Sequence, residues 1–219
     1  MNNLFSILTA DEKKLLENSR KMLDVKKRRT IFREGQTPNG VFLLESGKVK
    51  IFTTSRSGKE QIIHLAKPGD LMGYRALLGS DTYSASGTAL DNSEVLFIPK
   101  ETFFRLLESN AGFSHAIIRL LTGELRQTEH HLGGLARKPV KARLAEAVLL
   151  LADTYGFEKD GKTLSAALSR DELAALVGTA TETVIRLLNS LKKEGLLATE
   201  GKKLRLTDRN ALERDAQMA

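Results

Sequence analysis

The sequence predicts an α+β chain: an N-terminal double-stranded β-helix (jelly roll), one long helix, and a C-terminal winged helix-turn-helix. Three observations carry this. Between Thr30 and Pro99, short β-rich runs recur at roughly 8–12-residue intervals between turn signals. From about Gly112 to Leu132, apolar positions alternate spacings of three and four. Residues 169–206 read as helix, glycine turn, helix and β-hairpin.

Composition sets the bounds. The chain has 219 residues, 41% hydrophobic and 28% charged, a balance for one large or two small globular domains rather than a disordered chain. It has no cysteine, which excludes disulfides, thiol nucleophiles and Cys-ligated zinc or iron–sulfur clusters. No apolar run reaches the roughly 18–20 residues of a membrane span, and no signal peptide opens the chain, so a cytoplasmic protein without a membrane partner is expected. The net charge of +7 suits a polyanionic partner. Residues 1–139 carry 21 basic and 15 acidic residues, whereas residues 140–219 carry 13 and 12. Much of the excess lies in Lys26-Lys27-Arg28-Arg29, which reads as a solvated loop.

Each element has its own signal. Thr9 and Glu12 are spaced as a capping box opening a helix over 9–23, with Leu15, Leu16 and Leu23 on one side. Residues 41–44, 48–52, 61–65, 85–90 and 94–98 are strand candidates, separated by turns such as Pro38-Asn39-Gly40 and Pro68-Gly69-Asp70. Pro99 closes the β section, and Thr102–Glu108 reads as a short helix. The long helix carries a heptad seam of Ile118, Leu121, Leu125, Thr128 and Leu132, which either packs on its own sheet or pairs with a second copy of the chain. Gly133-Gly134 is expected to end that helix as a hinge.

Beyond Lys138-Pro139, Val140–Tyr155 is a strongly apolar helix. Ser169-Arg170-Asp171-Glu172 opens a helix running through Val177, Gly178 makes the turn, and a second helix runs from Thr181 to about Glu194. Two short strands then flank Glu200-Gly201-Lys202-Lys203.

A helix fits the DNA major groove, and side chains near its start meet base edges. Glu182 and Arg186 are four apart and share a face: a carboxylate accepts from cytosine N4, and a guanidinium forks onto guanine O6 and N7. Thr181 and Thr183 lie in reach of phosphates or a thymine methyl, and Ser169, Lys192, Lys193, Lys202 and Lys203 are candidate backbone contacts. The plainer alternatives are a Glu182–Arg186 salt bridge and a Thr179–Glu182 capping box. No Ser/His/Asp elbow, P-loop, Rossmann fingerprint or metal-ligand cluster points to an enzyme, so no catalytic residue and no metal is assigned.

These pieces resemble the CRP/FNR family of bacterial transcription regulators over nearly the whole length. Glu182-Thr183-Val184-Ile185-Arg186 matches that family's E-T-x-x-R signature. Ser46-Gly47-Lys48-Val49, Gly58-Lys59-Glu60 and Pro68-Gly69-Asp70-Leu71-Met72-Gly73 match the turns of its cyclic-nucleotide-binding β-roll. The resemblance implies a β-roll sensor over 1–110, a dimerisation helix and hinge over 111–137, and a winged helix over 138–219. It implies a homodimer reading a palindromic site on double-stranded DNA, with RNA polymerase and a small-molecule effector as further partners. It also makes Thr181 the position that sets preference for a neighbouring base. Ala180 departs from the Ser or Thr common there, leaving the cap to Thr179 or Thr181.

The sensor departs further. Nucleotide-binding members carry Gly-Glu-Leu and then Arg-Ser-Ala, the Glu for the ribose and the Arg for the cyclic phosphate; this chain has Gly73-Tyr74-Arg75 and Tyr83-Ser84-Ala85. A phenol replaces neither a carboxylate nor a guanidinium, which argues against cyclic AMP. Gly73, Ser84 and Thr128 still match pocket positions, with Tyr74, Arg75 and Tyr83 beside them. Haem stays open through His64, His115, His130 or His131, each more readily read as an ordinary packed or surface residue. The effector is therefore unidentified. The competing reading is a ligand-binding module whose near-neutral winged helix serves protein contacts only.

Overall fold

A computed structural model describes residues 3–79 and 81–217. The chain divides into two compact units, one built mainly from residues 1–53 and 64–129, the other mainly from 130–219.

The N-terminal unit opens with α1 (Asn3–Ser6) and α2 (Ala10–Ser19). Thr9 caps α2 through the expected capping box: its hydroxyl accepts from the Glu12 amide at 3.3 Å, and the Glu12 carboxylate accepts from the Thr9 amide at 2.9 Å. The helix ends four residues earlier than expected. Ser19 turns its hydroxyl back onto the carbonyls of Leu15 and Leu16, and Leu23 belongs to β1 (Lys21–Val25). All five residues of β1 pair with β8, which outweighs the helical pattern of that stretch.

The remaining strands are β2 (Thr30–Phe32), β3 (Gly40–Ser46), β4 (Val49–Thr54), β5 (Glu60–Ala66), β6 (Leu71–Met72), β7 (Ser86–Ala89) and β8 (Ser93–Pro99). They form two four-stranded sheets, ordered β1-β8-β3-β6 and β2-β7-β4-β5. The expected jelly-roll architecture is thus present. β1, β2 and β6 lacked a strand signal of their own because they are short or largely exposed and take their order from partners distant in sequence.

The run Val41-Phe42-Leu43-Leu44 has no polar alternation because both faces of its sheet are covered. Val41 and Leu43, with Leu96 and Ile98 of β8, pack into one cluster with Phe5, Leu16, Phe103 and Phe113 of the helices. Phe42 and Leu44, with Val95, pack into a second cluster with Phe32, Val49 and Ala66 of the other sheet. Between β6 and β7 lies α3 (Tyr74–Leu78), and after β8 come α4 (Lys100–Ser109) and α5 (Ala111–Arg137).

α5 runs through Gly133-Gly134 instead of ending there. Each glycine costs about 1 kcal/mol relative to alanine without forbidding helical angles. The stop comes from Pro139, whose ring disfavours the helical region at Lys138.

In the C-terminal unit, α6 (Val140–Tyr155) buries seven residues, including Leu144, Val148 and Leu151. It is followed by α7 (Arg170–Val177), α8 (Thr181–Lys193), the hairpin of β9 (Leu197–Glu200) and β10 (Lys203–Leu206), and α9 (Arg209–Ala216). α9 was not anticipated; Asp208 caps it by accepting from the Ala211 amide at 2.9 Å. Lys141 on α6 ties the unit together, with its ammonium 2.7 Å from Glu194 after α8 and 2.9 Å from Asp215 on α9. The hydrogen bond to Glu194 is the largest reason its pKa lies above the ordinary lysine value.

Glu12 yields a prediction. Hydrogen bonds from the Asn110 side chain, the Thr9 amide and the Ser109 hydroxyl hold its carboxyl at about 2, against an ordinary 4.5. A depressed carboxyl pKa contributes stability above the unfolded value and loses it as pH falls through the folded one. Glu12→Gln should therefore flatten the loss of thermal stability between about pH 4.5 and 2, measured by circular dichroism. An unchanged pH profile would refute this role for the capping carboxylate.

Candidate nucleic-acid interface and sensor core

Ser169 and Glu172 form a full capping box at the start of α7: the hydroxyl accepts from the Glu172 amide at 3.1 Å, and the carboxylate accepts from the Ser169 amide at 2.8 Å. Gly178 follows at φ +72°, a left-handed turn that L side chains resist. This sets the angle at which α8 leaves. Val184, Leu187, Leu188 and Leu191 then bury one face of α8 at spacings of three, one and three.

Burial of that stripe fixes the outward face. Glu182, Arg186 and Asn189 are exposed, and Ile185 between them is 45% exposed. Neither plainer alternative for Glu182 forms. Ala180 stands at the N-cap with no side-chain hydrogen bond, and among the described residues neither Glu182 nor Arg186 has an ion-pair or hydrogen-bond partner. The expected capping by Thr179 or Thr181 is likewise absent. The Thr181 hydroxyl donates instead to the Asp171 carboxylate at 2.8 Å, bridging the starts of α7 and α8. Thr183 is half-buried beside it.

The wing turns at Gly201, φ +56°. Lys202 is exposed there, as are Lys192 and Lys193 at the end of α8. Lys203 is not free: its ammonium lies 2.8 Å from the Glu158 carboxylate, the chief cause of its raised pKa. Contact with a phosphate would first break this exposed, solvent-screened pair. Arg170 was not anticipated. Its guanidinium donates to the Gly201 carbonyl at 2.9 Å and so braces the wing tip from α7. Its other terminal nitrogen is buried without a partner, and burial lowers its pKa. A capping-box pattern explains positions 169 and 172 and gives no sign of this second task at 170.

In the N-terminal unit, the six expected pocket residues divide among buried, half-buried and exposed positions. Gly73 starts α3 at φ +79°, and a Cβ there would lie 3.2 Å from the Tyr83 ring, so these two are neighbours. Tyr83 is 5% exposed and belongs to the cluster between the sheets, its ring centroid 4.8 Å from that of Phe32. Phe32 in turn lies over Gly87, where a Cβ would stand 2.5 Å from its ring. Tyr74 is buried in the other cluster, among the helices. Its hydroxyl has no hydrogen bond of good geometry; burial and then the field of Glu124 push its pKa up. Arg75 is exposed, 3.7 Å from the Glu124 carboxylate. Ser84 and Thr128 are exposed, and the Thr128 hydroxyl donates to the Glu124 carbonyl at 2.9 Å.

This arrangement does not fit a cyclic nucleotide. Where a guanidinium would meet the phosphate stands a buried phenol that packs on aromatic rings. His64 is half-exposed, 3.8 Å from the Asp70 carboxylate, and His115 is exposed. The side chains of His130 and His131 lie outside the described residues, as does that of Leu132 in the seam. Among the described residues, no group of three or more His, Asp or Glu side chains is placed to hold a metal. No helix there is long and apolar enough to cross a membrane.

A two-sheet β-roll joined to a winged helix-turn-helix is the architecture of a DNA-binding transcription regulator. Residues 22–110 match the model of the cyclic nucleotide-binding domain, and residues 142–215 that of the Crp-like helix-turn-helix domain. The cyclic AMP receptor protein of Thermus thermophilus is 33% identical over 167 residues, 76% of this chain and 74% of that protein. The fumarate and nitrate reduction regulatory protein of Escherichia coli K12 is 30% identical over 198 residues, 89% of this chain and 77% of that protein. The crystal structure of a CRP-family transcriptional regulator, also from Thermus thermophilus, superposes with a TM-score of 0.76 at 26% identity, covering 91% of this chain and 97% of that one. The chain belongs to the CRP/FNR family, whose members are transcription regulators and not enzymes.

Tyr83 gives the prediction here. Burial pushes its phenol up to about 12, from an ordinary 10. Because the neutral form is the one the fold favours, the stability it contributes is present below about pH 10 and lost as pH rises through the folded value. Alkaline titration followed by tyrosinate absorbance should show a step near 12 that Tyr83→Phe removes. A full complement of ordinary tyrosine titrations near 10 would contradict the buried placement.

Proposed function

We propose that this chain is a homodimeric regulator that reads a palindromic DNA site with α8 and answers to an effector other than a cyclic nucleotide. The observation that carries it is the pair Glu182 and Arg186, outward on a helix whose opposite face is buried, and both without a partner among the described residues. Arg186 forks onto guanine, Glu182 accepts from the cytosine amine, and Ile185 beside them suits a thymine methyl. Thr181, Thr183, Ser169 and Lys202 flank these as backbone contacts, with Lys203 joining once its pair with Glu158 opens.

The seam on α5 supports the dimer. Ile118 is 54% and Leu125 59% exposed, seven residues apart, with Leu121 partly buried between them. Large apolar side chains at that spacing are stable in water when a second helix covers them. We assign 1–110 to the sensor, 111–137 to the dimerisation helix and hinge, and 138–219 to the DNA-binding domain. Two copies would set the recognition helices about 34 Å apart, one turn of DNA, and effector binding would shift the population toward that register. RNA polymerase is the further partner in this reading.

Two measurements test it. Arg186→Ala should cost about 1–3 kcal/mol on a palindrome of TTGA-type half-sites and relax specificity there, read by fluorescence anisotropy against a scrambled duplex. Equal binding of both duplexes by wild type and variant would sink the assignment. Leu125→Glu should convert the dimer to monomer in sedimentation, and an unchanged dimer would place the interface elsewhere.

A further inference from the structure

The basic run Lys26-Lys27-Arg28-Arg29 takes no part in reading DNA through α8, and the structure gives it a specific form. It makes the turn between β1 and β2. Arg28 stands at φ +67°, the one non-glycine residue with positive φ among those described. That conformation costs an arginine energy that glycine or asparagine would avoid. The turn is nevertheless pinned. The Arg28 amide donates to the Ala89 carbonyl at 2.8 Å, the Ala89 amide to the Arg29 carbonyl at 3.0 Å, and the Lys27 amide to the Asn92 side chain at 3.0 Å.

The pinned turn brings Arg28, Arg29 and Arg33 around one cleft of about 300 Å³, with Gln36 and Phe32 in its wall. None of the three guanidiniums has an ion-pair partner among the described residues. A second cleft of about 580 Å³ adjoins it, sharing Ile31, Phe32 and Gln36 and adding Phe42 and Tyr83. Uncompensated like charges repel one another, and guanidinium forks match phosphate oxygens two at a time. The strain at Arg28 and the repulsion have no structural use within this unit, whereas both serve a site for a dianion. The cleft volume is of small-molecule size.

We infer that the Arg28–Arg29–Arg33 cleft is a binding site for the phosphate dianion of a phosphomonoester. It stands on walls other than α3 and the Gly73 turn. It also does not depend on the DNA-reading assignment.

Phenyl phosphate, titrated calorimetrically into the full-length protein, is the probe. One molecule should bind per chain with a submillimolar Kd, at least tenfold tighter than phenol. Arg28→Gly should weaken binding tenfold or more while raising the melting temperature, because it removes the charge and the strain together. Arg33→Ala should weaken it to a similar degree, and Arg105→Ala on α4 should leave it unchanged. Three results would overturn the inference: no saturable binding, the same Kd in Arg28→Gly and Arg33→Ala as in wild type, or phenol held as tightly as phenyl phosphate.

Discussion

The sheet β1-β8-β3-β6 is covered on both faces, and the N-terminal unit is organised around that constraint. Each strand at its centre sends alternate side chains to two different cores. In β3, Val41 and Leu43 meet the helices while Phe42 and Leu44 meet the second sheet; in β8, Leu96 and Ile98 do the former and Val95 the latter. One residue of slip in either strand would exchange the two sets. The register β3 to β8, six residue pairs long, is therefore fixed from both sides.

That division also decides what became of the sensor. Tyr74 and Tyr83, which by the resemblance match the two charged positions of nucleotide-binding members, are each drawn into a different core. Tyr83 extends the aromatic contacts of Phe32 and Phe42, the latter pair stacked at 5.7 Å. Aromatic pairs of this kind add about 0.5–1.5 kcal/mol beyond their burial. A charged ligand would have to displace packed rings to enter there. The outer turn at 28–33 is held by backbone hydrogen bonds, and its three arginines have no ion-pair partner among the described residues.

The DNA-binding unit is assembled differently. Its recognition helix is placed by three local devices: the Ser169–Glu172 box, the left-handed Gly178, and the buried stripe from Val184 to Leu191. Two longer-range contacts then set the surroundings. Thr181 to Asp171 locks the start of α8 to the start of α7, and Arg170 to Gly201 holds the wing tip. Among the described residues, Glu182 and Arg186, which the proposed base reading requires, are left without a partner.

The sequence by itself determined the succession of β-roll, long helix and winged helix-turn-helix, both capping boxes, the glycine turn, the outward pair Glu182 and Arg186, and the family. These are signals written within a few residues, where propensity, capping and 3.6-residue periodicity act directly. Tertiary structure alone decided the rest. β1 is a strand because β8 is beside it, although its own residues continue a helical pattern. α5 passes two glycines because the stop lies at Pro139. Lys203 is paired and Arg170 braces the wing, each through a partner tens of residues away that no local pattern names, and Tyr74 and Tyr83 are drawn into different cores. The same holds for the arginine cleft: the run of charge was legible in the sequence, but its convergence rests on a strained turn that only the fold can hold.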